Sequence, residues 1–217
     1  MQSFMTICAA IGISGAALAQ TVSPFTEDFE DGLGGWDAAG GLALTLGSEG
    51  GNSFASLSGT VPTSPFGGAT FFAGEASGGV AGFSGGAFVG DYVAGNITTL
   101  SFDVRHNAET SLDFSVRLPT FNNTPANIVF GPSVEASGEF TTLTFDISPD
   151  NPALIPTGGS PFVTASAIQN VQLLVGGIDA GDVAATIDID NVAITPAPSG
   201  AVALLAAGGL AVRRRRG

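Results

Sequence analysis

Short runs of alternating apolar and polar residues recur along this chain, and they are the feature that most limits how it can fold. The clearest runs lie at 42–46, 100–105, 112–118, 143–147 and 187–190. Period-two alternation gives a strand one apolar and one polar face, as in an antiparallel sheet that covers a core on one side. Further short strands are expected at 53–57, 69–73, 126–130 and 171–175. About ten strands without helical periodicity predict an all-β fold, a two-sheet antiparallel β-sandwich of the jelly-roll type.

The last run contains an irregularity. Ile187 and Ile189 are followed by Val192 and Ile194, so the alternation slips by one residue at Asp190-Asn191. Such a slip predicts a β-bulge, which turns side chains out of regular pairing.

Three connecting stretches are expected between the strands. Residues 107–110 are a candidate hairpin connection, and the proline-rich stretch 151–161 is expected to be a surface loop. The glycine-rich stretch 74–90 contains Phe83 and Phe88. These two rings are expected to turn into the core, because exposing both would cost a few kcal/mol of burial.

The charge composition excludes some functions. The chain has 19 acidic and 6 basic residues and no lysine, and four of the basic residues are clustered near the C-terminus. Arg105 and Arg117 are therefore the only arginines among residues 1–212. Nucleic-acid binding is excluded because it requires basic groups that neutralise phosphates. Direct ion pairing with an anionic polysaccharide is disfavoured for the same reason.

Residues 1–19 are expected to be an export signal. The stretch Phe4–Leu18 is apolar and small, and Ala17 and Ala19 form the A-x-A pattern of a cleavage site before Gln20. A buried N-terminal helix is the alternative, but the composition changes abruptly after residue 20. Cys8, the single cysteine, lies within this segment, so the domain at 20–195 is expected to fold without disulfides.

Residues 196–217 combine three features in a fixed order. Pro196 and Pro198 flank Ala197, and 14 apolar or small residues follow at 199–212. The basic cluster then consists of Arg213, Arg214, Arg215 and Arg216. Fourteen residues fall short of the roughly 20 that span a bilayer comfortably, and arginines after such a segment favour the cytoplasmic side. A simple membrane anchor is the alternative, but it predicts a longer helix that is richer in leucine.

This order resembles the PEP-CTERM sorting signal that exosortases read, with Pro-Ala-Pro where that family usually has Pro-Glu-Pro. The resemblance implies an exosortase-type processing enzyme as partner and a transient insertion into the inner membrane through a short apolar helix. It also implies delivery to the cell surface or extracellular matrix of a Gram-negative-type bacterium.

Two short motifs open and close the domain. The first is Asp28-Phe29-Glu30-Asp31-Gly32 with Gly35-Trp36 after it, and the second is Asp190-Asn191-Val192. Together they resemble galactose-binding-like jelly rolls, which include many carbohydrate-binding modules and the laminin-type B domain. The resemblance implies that the first and last strands lie together and that their acidic residues hold a structural calcium ion.

The resemblance places the calcium ligands at Glu30 and Asp190, with Asp28 and Asn52 as further candidates. Oxygen ligands from several segments suit Ca²⁺, which takes six to eight of them. The alternative is that Asp28, Glu30 and Asp31 solvate a strand end and that Asp190 caps the bulge.

Two aromatic residues are candidates for stacking on a sugar. The resemblance favours a core position for Trp36, while Tyr92 is equally compatible with a ligand site and with a hydrophobic edge. His106, the single histidine, is expected to be a solvated turn residue. No catalytic residues are assigned, because one histidine provides no triad. Asp188 and Asp190 share one strand, whereas the two carboxylates of a glycosidase face each other across a cleft.

The sequence therefore predicts an exported, non-enzymatic surface or matrix protein, with a neutral extracellular polysaccharide as its candidate ligand. One alternative is a secreted hydrolase or lyase acting on glycans with the same fold. A lyase for uronic acids needs Arg, Lys, His or Tyr, and residues 20–195 contain two, none, one and one of these. The other alternative is a structural or adhesion subunit without a ligand.

Overall fold

A computed structural model describes residues 20–39, 42–61, 69–73, 83–120, 123–177 and 183–197. The predicted export signal and all but the first two residues of the predicted sorting signal lie outside these ranges. Within them, no helix has the length and apolar character needed to cross a bilayer.

The described residues form twelve strands, a 3-10 turn at Phe83–Gly86 and one short α-helix. The strands are β1 Phe25–Glu27, β2 Asp37–Ala39, β3 Ala43–Glu49, β4 Asn52–Val61, β5 Ala69–Ala73, β6 Ile97–His106, β7 Leu112–Pro119, β8 Ala126–Val134, β9 Ser137–Asp146, β10 Ile155–Thr157, β11 Val171–Gly177 and β12 Val183–Pro196. The helix is α1, Pro161–Ala165.

The strands form two antiparallel sheets. The first sheet has the order β3-β4-β12-β6-β9, and β1 pairs with the end of β12. The second sheet has the order β10-β8-β7-β11-β5-β2. The predicted two-sheet sandwich is confirmed, and so is the proximity of the first and last strands, because Phe25 pairs with Ile194.

The core lies between the two inner faces. On β6 the inward positions are Leu100, Phe102 and Val104, and all three are fully buried. Phe102 stacks on Phe145 of β9 with ring centroids 5.6 Å apart, and it also contacts Phe114 of the second sheet. Burial of each such side chain contributes about 1.5–3 kcal/mol. The apolar residues of the alternating pattern therefore hold the two sheets together.

The structure confirms the predicted bulge and corrects two connections. The register of β12 against β6 shifts between Asp190 and Ala193, and Asn191 has φ +50°. The connection at 107–110 is not a hairpin, because β6 and β7 belong to different sheets. The predicted loop at 151–161 contains β10. Phe88 is buried in the core as expected, and the side chain of Phe83 lies outside the described part of the chain.

Candidate functional site

The structure brings three of the four candidate calcium ligands together. The Nδ2 of Asn52 donates to Oδ2 of Asp190 at 2.9 Å. Glu30 lies beside the same strand end, where its Oε1 accepts the backbone N–H of Ser53 at 2.7 Å. Asp28 is engaged locally instead, because its Oδ1 accepts the N–H of Glu30 at 3.2 Å.

Asp190 is electrostatically unfavourable where it lies. Its pKa is raised above the usual range, chiefly because burial disfavours the charged carboxylate. The negative charges of Asp103 and Glu30 raise it further, while hydrogen bonds from Asn52 and Asn191 act in the opposite direction. Asp103 was not a sequence candidate. It faces Asp190 through the β12–β6 register, which the sequence does not specify.

The side-chain oxygens of Asp190 already have hydrogen-bond partners in the protein. Among the described residues, no three His, Cys, Asp or Glu side chains are grouped closely enough to hold a metal ion. Both oxygens of Asp190 accept hydrogen bonds, Oδ1 from the Asn191 N–H at 2.7 Å and Oδ2 from Asn52. Calcium at Glu30, Asp190, Asp28 and Asn52 stays a prediction.

In the presence of a chelator at neutral pH, Asp190→Asn is expected to raise the melting temperature. The pKa of Asp190 is higher in the folded protein than in the unfolded chain. The contribution of Asp190 to the free energy of unfolding is therefore highest below the unfolded pKa of about 3.9, where Asp190 is protonated in both states, and it falls as the pH rises through the folded pKa. The difference between variant and wild type should therefore shrink toward pH 3 in thermal melts. Asp150→Asn is the control, since it removes one exposed charge. An equal gain in the control would attribute the effect to net charge.

The two candidate sugar-stacking residues are both buried. Trp36 forms edge-to-face contacts with Phe29 and Phe88, and its Nε1 donates to Oγ of Ser84 at 3.3 Å. This confirms the expected core position of Trp36. The hydroxyl of Tyr92 donates to the Phe88 carbonyl at 3.0 Å, and burial raises the pKa of Tyr92 far above its usual value. In this structure neither ring is accessible for stacking on a sugar.

His106 is not solvated, contrary to the sequence interpretation. It ends β6 on the inward side and is buried. Its Nε2 lies 2.9 Å from the Val134 carbonyl, and its Nδ1 accepts the N–H of Ala108 at 3.2 Å. A carbonyl can only accept and a backbone N–H can only donate. These partners therefore specify the neutral tautomer with the proton on Nε2. The two hydrogen bonds fix the start of the connection from β6 to β7, which links the two sheets.

The outer face of the first sheet carries a paired arginine. Arg105 donates from Nε to Asp188 at 2.9 Å, and its Nη1 forms an ion pair with the more exposed Glu49. The guanidinium lies over the rings of Phe54 and Phe140, 4.8 and 4.6 Å from their centroids. Because both carboxylates already occupy the guanidinium, this cluster holds strands together.

A cavity of about 290 Å³ lies beside this cluster. It is lined by Glu49, Arg105, His106, Asn107, Ser137, Gly138, Thr186 and Asp188. The Oδ1 of Asp188 has no hydrogen-bond partner among the described residues, but it is buried from solvent. A ligand in the cavity therefore has no direct access to this oxygen.

The outer face of the second sheet carries Arg117, the other arginine of the described residues. Strand alternation places Ser115 and Arg117 of β7 outward, because Phe114 and Val116 are buried in the core. Ser115 pairs with Phe130 of β8, a residue that is 45% exposed. Arg117 lies opposite Ile128 in the same register, so Arg117 and Phe130 are diagonal neighbours on this face.

Arg117 is bound by neutral groups. Its guanidinium donates to Oε1 of Gln172 at 2.7 Å and to both the side chain and the carbonyl of Asn123. Gln172 in turn donates from Nε2 to Asn123 at 3.0 Å. Neither ion pair in the described residues involves Arg117, and burial lowers its pKa. Sequence reasoning missed this group, because the alternation of 112–118 gives the outward positions but not which strands adjoin them.

The fold is similar to several solved carbohydrate-active proteins. The family 11 carbohydrate-binding module of a cellulosomal cellulase of Clostridium thermocellum matches with a TM-score of 0.52 and 13% identity, over 82% of this chain and 97% of the module. Tandem family 22 modules of a Paenibacillus barcinonensis protein match with a TM-score of 0.50 and 15% identity, over 88% of this chain and 53% of theirs.

An exo-β-agarase also matches, with a TM-score of 0.52 and 13% identity over 79% of this chain. The chain spans 24% of that enzyme and 28% of a matching xylanase chain. At these identities the likeness shows the β-sandwich fold. No protein-family model and no curated protein matches the sequence.

Proposed function

We propose that this chain is an exported, non-enzymatic surface or matrix protein that binds a neutral glycan on the outer face of its second sheet. The observation that carries the proposal is Arg117, a half-buried guanidinium held by amide and carbonyl oxygens, with the exposed Phe130 as its diagonal neighbour. A binding site for a polar ligand combines apolar or aromatic surface with a few fixed polar groups. Sugar rings present an apolar face together with hydroxyls, which is the matching chemistry.

The charge of the domain supports a neutral ligand. The mature body carries 19 carboxylates and two arginines, and one of these arginines is already paired with Asp188 and Glu49. An anionic glycan would approach a strongly negative protein and find one arginine to bind. A neutral sugar avoids that repulsion and can use Arg117, Gln172 and Asn123 as hydrogen-bonding groups.

The chemistry around Arg117 favours binding over catalysis. Glycoside hydrolysis requires two carboxylates on opposite sides of the sugar. Arg117 is instead hydrogen bonded to the amides of Gln172 and Asn123. The solved relatives that match this fold over most of their length are carbohydrate-binding modules by name, and this supports a non-enzymatic role.

Affinity electrophoresis with soluble neutral polysaccharides tests the glycan site. Phe130→Ala and Gln172→Ala are each expected to weaken binding at least about tenfold, which corresponds to about 1.4 kcal/mol. Leu46→Ala is the matched control, because Leu46 is about as exposed as Phe130 but lies on β3 of the other sheet. Equal loss in all three variants, or no retardation of the wild type by any neutral glycan, contradicts the proposal.

The delivery of the protein is proposed from its terminal segments. The export signal at 1–19 and the PEP-CTERM-like segment at 196–217 predict a secreted protein that is processed at the inner membrane. Intact-mass measurement on protein released from the native host is expected to show a start at Gln20 and loss of Arg213–Arg216. Surface protein that still carries these arginines would contradict exosortase-type sorting.

Calcium is proposed as a structural ion between the opening and closing strands. The mutual repulsion of Asp190, Asp103 and Glu30 supports it, because a divalent cation would offset that repulsion. Calcium is expected to raise the melting temperature of the wild type more than that of Asp190→Asn, since binding to the folded state alone stabilises it. Sodium chloride at matched ionic strength controls for screening. An equal response of both proteins excludes Asp190 as a ligand.

A further inference from the structure

One end of the sandwich gathers both chain termini. At the C-terminal side, Pro196 pairs with Ile97 at the start of β6. At the N-terminal side, the carbonyl of Gln20 accepts the N–H of Asp91 at 2.7 Å, and Val22 donates to the Asp91 carbonyl. Residues 20 and 197 therefore leave the domain from the same end, which is called the terminal end below.

The turn at 92–96 and helix α1 belong to the terminal end. The N–H of Ile97 donates to the Tyr92 carbonyl at 2.9 Å, and the N–H of Tyr92 donates to the Ala165 carbonyl at 3.0 Å. Val93 and the residues of α1 are therefore connected to the exit point of the chain through a short series of backbone hydrogen bonds.

Exposed apolar side chains are concentrated on this end. Phe162 is 48% exposed and Val163 is 65% exposed, although both are large hydrophobic residues on a five-residue helix. Val93 is also exposed. These are three of the six exposed large hydrophobic side chains among the described residues. Exposed apolar groups that lie together on one surface indicate an interaction site.

The segments that carry these side chains have no charged residue, although Asp91 and Asp146 lie at the same end. Residues 92–102, 160–177 and 191–197 contain no Asp, Glu, Lys or Arg, in a body that has 19 carboxylates. An anionic leaflet attracts basic groups and repels acidic ones over about a Debye length. Repulsion therefore acts least on the turn at 92–96 and on helix α1, which can approach such a leaflet more closely than the acidic faces.

The chain length beyond the domain fixes the distance to the membrane. The apolar segment 199–212 begins two residues after Ala197, and two extended residues span at most about 7 Å. The headgroup layer on each side of a bilayer is about 5–7 Å thick. When the segment is inserted, the terminal end therefore lies at headgroup depth, where apolar and aromatic side chains bind the interface favourably.

We infer that Val93, Phe162 and Val163 form a lipid-contacting surface that seats the domain on the bilayer while its C-terminal segment is inserted. The inference rests on the proposed insertion of residues 199–212 and is independent of glycan binding. It assigns α1, which is peripheral to both sheets, a role in orienting the domain with its opposite end directed away from the membrane.

The test uses the full chain with Cys8→Ser and a single new cysteine at position 163 or 46, each labelled with an environment-sensitive nitrobenzoxadiazole dye. Leu46 is the control because it is also an exposed apolar side chain, 48% against 65% for Val163, but lies on β3, away from the terminal end. On vesicles of phosphatidylcholine with phosphatidylglycerol, the dye at Val163→Cys is expected to shift to shorter wavelength and to resist dithionite at least about tenfold better than the dye at Leu46→Cys.

A second measurement uses unlabelled variants. Phe162→Asp with Val163→Asp is expected to weaken vesicle co-sedimentation of the full chain about tenfold, whereas Leu46→Asp leaves it unchanged. Both helix positions are exposed, so circular dichroism should show an intact fold. If the chain co-sediments and the two dyes are equally quenched, the lipid-contacting surface is wrong and membrane insertion stands. If the wild-type chain does not co-sediment at all, both the inference and the proposed insertion are overturned.

Discussion

Trp36→Ala is expected to lower the free energy of unfolding by about 3–5 kcal/mol, the range for truncating a large buried aromatic side chain. The ring contacts Phe29 at 5.9 Å and Phe88 at 5.6 Å between centroids. Its removal leaves a cavity between the opening segment and the 83–90 segment, neither of which can close it without moving a strand. The loss is measured by urea or thermal unfolding of the variant against the wild type.

Trp36→Phe separates packing from hydrogen bonding at this position. A phenyl ring keeps most of the aromatic contacts but loses the bond from Nε1 to Ser84, a loss worth about 1 kcal/mol. The phenylalanine variant should therefore be much more stable than the alanine variant. If Trp36→Ala unfolds like the wild type and only glycan binding suffers, Trp36 is a sugar platform and its assignment to the core is wrong.

Arg105→Met is expected to destabilise the protein by about 3 kcal/mol, because it leaves Asp188 charged and largely buried without its partner. The side chains of Arg105 and Asp188 are 17% and 13% exposed. Methionine fills similar space between Phe54 and Phe140, so the loss reports the charge rather than a cavity. Gly47 makes this packing possible, since a Cβ there would lie 2.2 Å from the Phe54 ring.

Two further variants assign the effect of Arg105. Glu49→Gln removes the other ion pair, but the Glu49 side chain is 68% exposed, so it should cost less than about 1 kcal/mol. Adding Asp188→Asn to Arg105→Met should recover part of the lost stability, because it removes the uncompensated charge. If the double variant is as unstable as the sum of the two single variants, Arg105 acts through packing alone.

The strands could be predicted where the alternation of apolar and polar residues extends over enough positions to be recognised. Leu100, Phe102 and Val104 show the inward face of β6 directly, and the slip at Asp190-Asn191 shows the bulge. The three-residue strands β1, β2 and β10 are too short to show a period. The pairing of strands could not be predicted from the sequence either. The order of strands along the chain suggests a hairpin at 107–110, but there the chain crosses from one sheet to the other.

The site was predicted only where sequence motifs mark it. The opening and closing motifs placed Glu30 and Asp190 near one another, and Asn52 joins them. His106 was misjudged because a polar ring next to a turn looks exposed in sequence, although the Val134 carbonyl binds it in the interior. For Tyr92 the sequence left a ligand site and a hydrophobic edge equally open, and the structure buries it. Arg117 carried no distinguishing signal, because its partners Gln172 and Asn123 lie 55 and 6 residues away along the chain.

The position of β12 has a kinetic consequence. It is the last strand of the described chain, yet it lies in the middle of the first sheet, with β4 on one side and β6 on the other. Until residues 183–196 have been synthesised, β4 and β6 have no strand between them, and the sheet cannot form in its native order. Folding must then close contacts of very large sequence separation, such as Ile189 with Ala55, which slows folding. The nascent chain is thus kept from forming the native first sheet until β12 has been made.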